Sequence, residues 1–251
     1  MKRFEKNGAR IEVSRDLASV SERGAQLFRE IAGQSIERQG RFRVALSGGS
    51  TPKALFSLLA SDAYAESMAH LWRGTEVFWV DERCVPPDDA ESNYRMAHES
   101  LLSHVSLPAS QIHRMRGEDE PERAAADYAS HLESNFATSD PAFDLILLGM
   151  GADAHTASIF PHSRVLKDSE DRLVAAPYVE KLRAHRLTLT LRVLNHARNI
   201  IFLVSGREKA EPLCKVFASV ERDEELPARW VRPRSGACYW LIDEEAAALL
   251  D

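Results

Sequence analysis

The stretch FDLILLGMGADAHTASIFP, residues 143–161, joins a short apolar segment to a polar turn. The run from Leu145 to Gly149 is too short for a helix and ends in glycine, as a buried strand does. Titratable side chains follow at once, with Asp153 and His155 in the same short turn. Ligands of an open parallel sheet bind beyond the carboxyl ends of its strands, so this turn is a candidate active site.

Strands and helices alternate along the rest of the chain. The hydrophobic pattern predicts strands at 10–14, 42–46, 76–80, 145–149, 186–191, 199–204 and 237–242. It predicts helices at 16–38, 53–59, 92–105, 120–136, 206–220 and 244–250. This order is typical of an α/β fold with a doubly wound, mainly parallel sheet and helices on both faces, a Rossmann-like arrangement. No linker divides the sequence, so we expect residues 1–251 to form a single domain.

Composition limits the classes of function. Of the 251 residues, 44% are hydrophobic and 28% are charged, and the formal net charge of -6 argues against a general nucleic-acid binder. Cys84, Cys214 and Cys238 lie far apart and lack the spacing of a zinc site or a disulfide framework. No signal-peptide core and no membrane-length apolar run occur, so we expect a cytoplasmic protein that does not enter a membrane.

A glycine turn, SGGSTP at residues 47–52, has the form of an anion site. Gly48 and Gly49 let backbone amides approach a ligand, and the N-terminus of the following helix carries roughly half a positive charge. Ser50 or Thr51 is expected to cap that helix, and the proline suits its first turn. The turn lacks the ending of a nucleotide P-loop, which favours one phosphate over a triphosphate. The alternative is a tight turn that needs glycine for its shape alone.

His155 is the strongest candidate for a catalytic group, because a neutral imidazole can take a proton from water near neutral pH. Asp153 could orient His155, contact the substrate or cap a short helix. His155 could instead be a packed histidine or a metal ligand, but His155 and His162 show no metal-ligand spacing. The sequence has no G-x-S-x-G elbow, so a serine-nucleophile hydrolase has no support.

Residues 149–154, GMGADA, also satisfy the G-x-G-x-x-G/A pattern of dinucleotide-binding folds. That pattern normally opens a Rossmann domain and leads into a helix. Here it lies in the middle of the chain and leads into His155 and Pro161, with little helical periodicity. We therefore do not expect a nicotinamide cofactor.

Arg83 follows the strand predicted at 76–80 and could bind an anionic substrate through two hydrogen bonds. Its alternative role is a surface ion pair with Asp81 or Glu82. The position at the carboxyl end of a strand favours substrate binding. Arg186 and Lys209 have no distinguishing pattern when each is considered alone.

Six motifs together resemble the 6-phosphogluconolactonase family of the pentose phosphate pathway. They are LSGGSTP at 46–52, DERCVP at 81–86, SNYRMA at 92–97, GMGADAHTASIFP at 149–161, HRLTLT at 185–190 and SGREKA at 205–210. Each motif is weak alone, but six in order over nearly the whole chain are specific. The resemblance implies a fold similar to glucosamine-6-phosphate deaminase and a reaction without metal or organic cofactor.

The deaminases of the same superfamily share the glycine turn and the Asp81-Glu82 pair. They usually have Tyr after that pair and Ile-Ala-Phe-Asn-Glu-Pro after the histidine. This chain has Arg83 and, at 156–161, Thr-Ala-Ser-Ile-Phe-Pro, which resembles the lactonase branch. Ala154 departs from the glycine that many relatives place before the histidine, and it is strained there if the position has a positive φ.

The resemblance implies hydrolysis of 6-phospho-D-glucono-δ-lactone to 6-phosphogluconate. His155 is expected to deprotonate the attacking water and return the proton to the ring oxygen, with Asp153 beside it. An isomerase or deaminase acting on an amino sugar phosphate is the alternative enzyme. A non-catalytic phosphosugar-binding protein is a further alternative, since it needs the glycine turn but not His155.

The resemblance also implies a set of substrate-binding residues. These are Gly48, Gly49, Ser50, Thr51, Asp81, Arg83, Gly151, Arg186 and Lys209. The helix start at Ser50 and Thr51 is expected to hold the phosphate, with help from one or more of the basic residues. Backbone amides near Gly48 and Gly49 or at Gly151 are expected to stabilise the oxyanion. We expect the phosphosugar lactone as the partner and a monomer or weak homo-oligomer.

Overall fold

The computed structural model describes residues 2–167, 171–218 and 223–250. Its strands are β1 (Lys2–Lys6), β2 (Ala9–Ser14), β3 (Phe42–Leu46), β4 (Thr75–Trp79), β5 (Asp81–Arg83), β6 (Ile112–His113), β7 (Leu145–Leu148), β8 (Val174–Ala175), β9 (Tyr178–Val179), β10 (Ala184–Leu189), β11 (Asn199–Val204) and β12 (Ala237–Asp243). Its α-helices are α1 (Leu17–Gln39), α2 (Ser50–Leu59), α3 (Asp62–Trp72), α4 (Asn93–Ser100), α5 (Pro121–Phe136), α6 (Leu191–Leu194) and α7 (Ala210–Ala218). None of the helices in these ranges is long and apolar enough to cross a bilayer.

The main sheet has the strand order β1-β2-β12-β11-β7-β3-β4-β6. Each neighbouring pair is parallel except β1 and β2, which are antiparallel. From β3 the chain proceeds outward to β4 and β6, then returns to β7 on the other side of β3 and continues to β11 and β12. This reversal confirms the predicted doubly wound, mainly parallel α/β fold. Its switch point lies between β3 and β7.

The central strands are buried on both faces, which explains their continuous apolar sequences. All residues of β3 and β7 are buried. The one charged side chain among them, Arg43, forms an ion pair with Glu76 at 2.7 Å. Helix α1 contacts β3, β11 and β12. It begins after Asp16, whose carboxylate accepts from the Ser19 amide, and ends at Gly40, where φ is 74°.

The strand predicted at 186–191 is present as β10, but it ends at Leu189, before α6 begins at Leu191, and it lies outside the main sheet. It pairs antiparallel with β5, β8 and β9. Its alternating pattern of apolar and polar residues suits an antiparallel strand. This second, smaller sheet includes β5, which directly follows β4, and it brings Arg186 opposite Arg83.

The helix predicted at 244–250 is wrong, because the chain forms successive turns there. Asp243 accepts from the Ala246 amide at 2.8 Å and starts a turn. A segment this short has too few hydrogen bonds to offset the cost of helix nucleation. The prediction also missed β1 and α3, where charged and small residues obscure the hydrophobic period.

Three helix ends differ from the prediction. Helix α4 ends at Ser100 and continues as a 3-10 turn, and α7 begins only after a 3-10 turn at Arg207–Lys209. Residues 219–220, the predicted end of α7, lie outside the described residues. The expected cap of α2 by Ser50 or Thr51 is wrong, because Gly49 is the N-cap and no side chain caps the helix. Its first-turn amides are therefore left for another acceptor.

Two histidines meet beside the edge strand β6. Nε2 of His131 lies 2.8 Å from Nδ1 of His113, and the Phe78 ring stacks on His113 with centroids 4.3 Å apart. Burial, followed by the neighbouring His131, lowers the pKa of His113 from 6.5 to about 4. Folding thus favours the neutral ring at His113.

We expect the free energy of unfolding to fall as pH decreases from 6.5 to about 4. In this range the unfolded chain binds a proton at His113 that the folded chain does not, so protonation favours unfolding. Urea unfolding of the wild type and His113→Gln at neutral pH and at about pH 5 checks this. The variant should lose less stability on acidification, whereas His70→Gln, at an exposed position, should match the wild type. Identical losses in all three proteins would contradict the prediction.

Candidate active site

A cleft of about 250 Å³ opens at the switch point, where the carboxyl ends of β3 and β7 lie side by side. The loops that follow β3, β4, β7 and β11 form its walls. Of the residues predicted to act, the cleft is lined by Gly48, Gly49, Ser50, Thr51, Asp81, Arg83, Gly151, His155 and Lys209. The structure therefore brings together residues more than 150 positions apart in the sequence. This is the place where doubly wound sheets bind ligands.

His155 lines this cleft and forms a hydrogen-bonded pair with Asp153, which is not itself part of the cleft wall. Nδ1 of His155 lies 2.5 Å from Oδ1 of Asp153, and both side chains are partly exposed. Burial opposes ionisation of Asp153, but hydrogen bonds from His155 and Lys181 together hold its pKa well below the usual range. The carboxylate is thus an acceptor, so Nδ1 of His155 donates to it. This leaves Nε2 of the neutral ring as the site that can accept a proton.

The backbone after β7 folds into a tight turn that presents His155. The Gly151 amide donates to the His155 carbonyl at 2.9 Å, and the Ala154 amide donates to the Gly151 carbonyl at 3.0 Å. Ala154 has a φ of 58°. The positive φ that would strain an alanine before the histidine is therefore present. A residue with a Cβ costs about 1–2 kcal/mol in this left-handed region. Thr156 fixes the next residue by donating to the Gly149 carbonyl at 2.8 Å.

Ser158 attaches the same turn to the smaller sheet. Its hydroxyl donates to Oδ2 of Asp81 at 2.7 Å, and its amide donates to the Thr188 hydroxyl at 3.2 Å. Asp81 is buried, and burial raises its pKa above the usual value.

The ring of Phe160 stacks on His155, with centroids 4.3 Å apart. The imidazole is thus held by a carboxylate at its edge and by an aromatic ring at its face.

The adjacent carboxylates of Asp81 and Glu82 have different surroundings. Asp81 lines the cleft, whereas Glu82 accepts from the backbone amides of Arg83, Asn93 and Tyr94 at 2.8, 2.7 and 2.8 Å. Glu82 therefore holds the start of α4 against β5. Asn93 then lies so close to Gly48 that a Cβ there would be 1.9 Å from its Oδ1. Only glycine fits at position 48.

Arg83 and Arg186 are opposite each other in the β5–β10 register. Burial, followed by the charge of Arg83, lowers the pKa of Arg186 below its usual value. Arg83 lines the cleft and donates to the Glu91 carbonyl, while Arg186 is buried and is not part of the cleft wall. Lys209 lines the cleft from the loop after β11. Two adjacent guanidinium groups repel each other, so an anion between or beside them is favoured.

The amides of the glycine turn are available to a ligand. Within residues 2–167, 171–218 and 223–250, no group accepts from the backbone amides of Gly48 and Gly49. The Gly151 amide, in contrast, already donates to the His155 carbonyl. Among the described residues, no group of three His, Cys, Asp or Glu side chains is placed to hold a metal ion. A reaction without metal or cofactor stays a prediction.

Four contributors to the site were not predicted from the sequence. They are Asn93, Ser158, Phe160 and Lys181. Ser158 and Phe160 follow His155 closely, and that proximity is the one signal the sequence offered. Lys181 reaches Asp153 across 28 positions through the folding of the smaller sheet, which no local pattern indicates.

Fold and site together define an α/β enzyme with a histidine–carboxylate pair at the switch point of a parallel sheet. The chain belongs to the family of glucosamine-6-phosphate isomerases and 6-phosphogluconolactonases, whose model matches residues 15–240. This assignment confirms the resemblance found in the six motifs.

Individual relatives support the lactonase branch. The chain is 39% identical over 244 residues to the 6-phosphogluconolactonase of Nostoc sp. (strain PCC 7120). The match covers 96% of this chain and 98% of that protein. The structure of 6-phosphogluconolactonase from Trypanosoma brucei matches with a TM-score of 0.86 and 30% identity, over 98% of this chain and 100% of that chain. A monomeric glucosamine-6-phosphate deaminase shares the fold, with a TM-score of 0.78 and 20% identity over 95% of this chain and 99% of that chain.

Proposed function

We propose that this protein hydrolyses 6-phospho-D-glucono-δ-lactone to 6-phosphogluconate, the lactonase step of the oxidative pentose phosphate pathway. The observation that carries the proposal is the hydrogen-bonded pair of His155 and Asp153, 2.5 Å apart, whose histidine lines a cleft that also contains a helix N-terminus and Arg83. A base next to an anion site is what a phosphorylated lactone requires. The relatives of the same name support this choice of substrate.

His155 acts as the general base in this mechanism. Its Nδ1 keeps its proton and donates it in a hydrogen bond to Asp153, so Nε2 accepts a proton from the water that attacks the lactone carbonyl. When the tetrahedral intermediate collapses, the imidazolium returns that proton to the ring oxygen as the C–O bond breaks. Asp153 stabilises the imidazolium during the step and fixes the ring orientation.

The oxyanion is assigned to the glycine turn. The developing negative charge needs donors that are already in place, and the amides of Gly48 and Gly49 have no acceptor among the described residues. The Gly151 amide is used within its own turn, so its contribution is to shape the backbone around His155.

The phosphate is assigned to the start of α2 together with Arg83 and Lys209. Ser50 and Thr51 begin the helix with no side-chain cap, so their amides and hydroxyls can donate hydrogen bonds to an anion. Arg83 and Lys209 line the same cleft and supply full positive charges. Arg186, opposite Arg83 in the β5–β10 register, contributes by strengthening the local positive potential.

Replacing Arg83 by Ala should raise KM by at least about tenfold and change kcat much less, because a charged hydrogen bond to phosphate contributes to binding throughout the reaction. Initial rates over a range of lactone concentrations measure this split. Arg29→Ala, which removes an exposed arginine of α1, is the matched control and should behave like the wild type. An unchanged KM in Arg83→Ala would exclude Arg83 from the phosphate site.

The activity itself is tested by generating the lactone in situ and following proton release against the spontaneous rate. The protein should accelerate lactone loss and should release no ammonia from glucosamine 6-phosphate. Ammonia release would instead support the deaminase alternative. Binding of the phosphosugar with neither reaction would support a non-catalytic protein.

We further propose that residues 1–251 act as one domain, in the cytoplasm, as a monomer or weak homo-oligomer. The main sheet takes strands from both ends of the chain, β1 and β2 from the start and β12 from the end, which supports one domain. Light scattering at several protein concentrations measures the oligomeric state. A stable higher oligomer would contradict that part of the proposal.

A further inference from the structure

The second carboxylate oxygen of Asp153 is bound to a lysine from another part of the fold. Nζ of Lys181 lies 3.0 Å from Oδ2 of Asp153, while Oδ1 accepts from His155. The three side chains thus form a chain of contacts, lysine to carboxylate to imidazole. The lysine contacts the carboxylate at the oxygen that the imidazole leaves free.

The smaller sheet delivers Lys181 to this position. Strands β9 and β10 form a hairpin whose tip is the 3-10 turn Glu180–Leu182, and Arg183 closes it with a φ of 49°. The base of the hairpin is fixed by the pairing of β10 with β5. At the tip, Leu182 is exposed, whereas Lys181 turns back towards the cleft.

The charge of Lys181 acts on His155 through Asp153. A carboxylate with no other partner stabilises the imidazolium strongly, and so it favours binding of a second proton by the imidazole. A cation at the other carboxylate oxygen offsets part of that stabilisation. The Lys181 side chain is 70% exposed, so solvent screens the effect and keeps it moderate.

Other charged groups around His155 belong to different elements. Asp81 and Arg83 reach the cleft from β5, and Glu208 and Lys209 reach it from the loop after β11. In the described part of the chain, Lys181 is the cation bound to Asp153 itself. Its effect should therefore be separable from theirs by substitution.

We propose that Lys181 is a positioning residue for the lactonase reaction. It orients the Asp153 carboxylate and weakens the tendency of that carboxylate to favour a second proton on His155. Lys181 thereby keeps the imidazole in its basic form at lower pH. This inference rests on the proposed role of His155 as the base.

The test is the pH profile of kcat/KM for lactone hydrolysis, corrected for the spontaneous rate, in the wild type, Lys181→Met and Lys181→Arg at low ionic strength. In Lys181→Met, removal of the cation favours the imidazolium, so the acid limb should shift to higher pH by about half a unit, with KM unchanged. Lys181→Arg should restore the wild-type profile. Lys215→Met, which removes an exposed lysine paired with Glu211 at 2.8 Å, is the matched control.

Three outcomes would overturn the inference. One is a Lys181→Met profile that superimposes on the wild type, and another is a shift that Lys181→Arg does not reverse. The third is a rise in KM without a shift, which would place Lys181 on the substrate instead. A His155→Ala variant assayed in parallel separates this inference from the proposed role of His155. Retained activity in that variant would refute His155 as the base, whereas the measured effect of Lys181 on the pH profile would stand by itself.

Discussion

Replacing His155 by Ala should lower kcat by about 10²–10⁴-fold and leave KM nearly unchanged. The imidazole is held at its edge by Asp153 and at its face by Phe160, so its Nε2 is already positioned when the substrate arrives. A base that acts on water contributes mainly in the transition state, which is why turnover falls and binding does not. Proton release from lactone generated in situ, followed beside the spontaneous rate, measures the loss.

His162→Ala is the matched control for this experiment. His162 lies seven positions after His155, is exposed, and contacts Glu224 at a distance of 3.9 Å. It should retain wild-type kcat. Turnover in His155→Ala within a fewfold of the wild type would refute the general-base role and would direct attention to Asp81, a buried carboxyl that also lines the cleft.

Much of the fold follows from local patterns. Strand β7 is predicted because the four apolar residues between Asp144 and Gly149 are too few for a helix and suit a buried strand. The structure places this strand at the centre of the sheet. The glycine turn was likewise predicted from residues adjacent in sequence. Both signals are short-range, and hydrophobic period and turn chemistry are the properties that a single sequence expresses best.

What the sequence did not reveal depends on tertiary register. Asp81 and Glu82 are neighbours of the same chemistry, yet one lines the cleft and the other holds α4, because successive residues of a strand point to opposite sides. The approach of Lys181 to Asp153 and the pairing of Arg83 with Arg186 depend on the smaller antiparallel sheet. Its short strands carry too weak a pattern to predict their partners.

Gly151→Ala should lower kcat by about 100-fold or more, because it removes the space that the catalytic pair occupies. A Cβ at position 151 would lie 2.1 Å from Nδ1 of His155 and 2.7 Å from Oδ1 of Asp153. Neither group can yield easily, since the ring is stacked on Phe160 and the carboxylate is bound to Lys181. The kinetic constants together with the urea unfolding midpoint distinguish a damaged site from a damaged fold.

Gly149→Ala provides the matched control two residues away, since a Cβ there meets nothing within 4 Å. Both substitutions carry the same loss of glycine flexibility, so a difference in kcat between them isolates the contact with the His155–Asp153 pair. If Gly151→Ala and Gly149→Ala retain equal turnover, the short hydrogen bond between Asp153 and His155 is not the arrangement that catalysis uses. If turnover falls in Gly151→Ala alone while both proteins unfold at a similar urea concentration, Gly151 is required for catalysis and not for stability. The reason is that His155 and Asp153 occupy the space that a Cβ at position 151 would take.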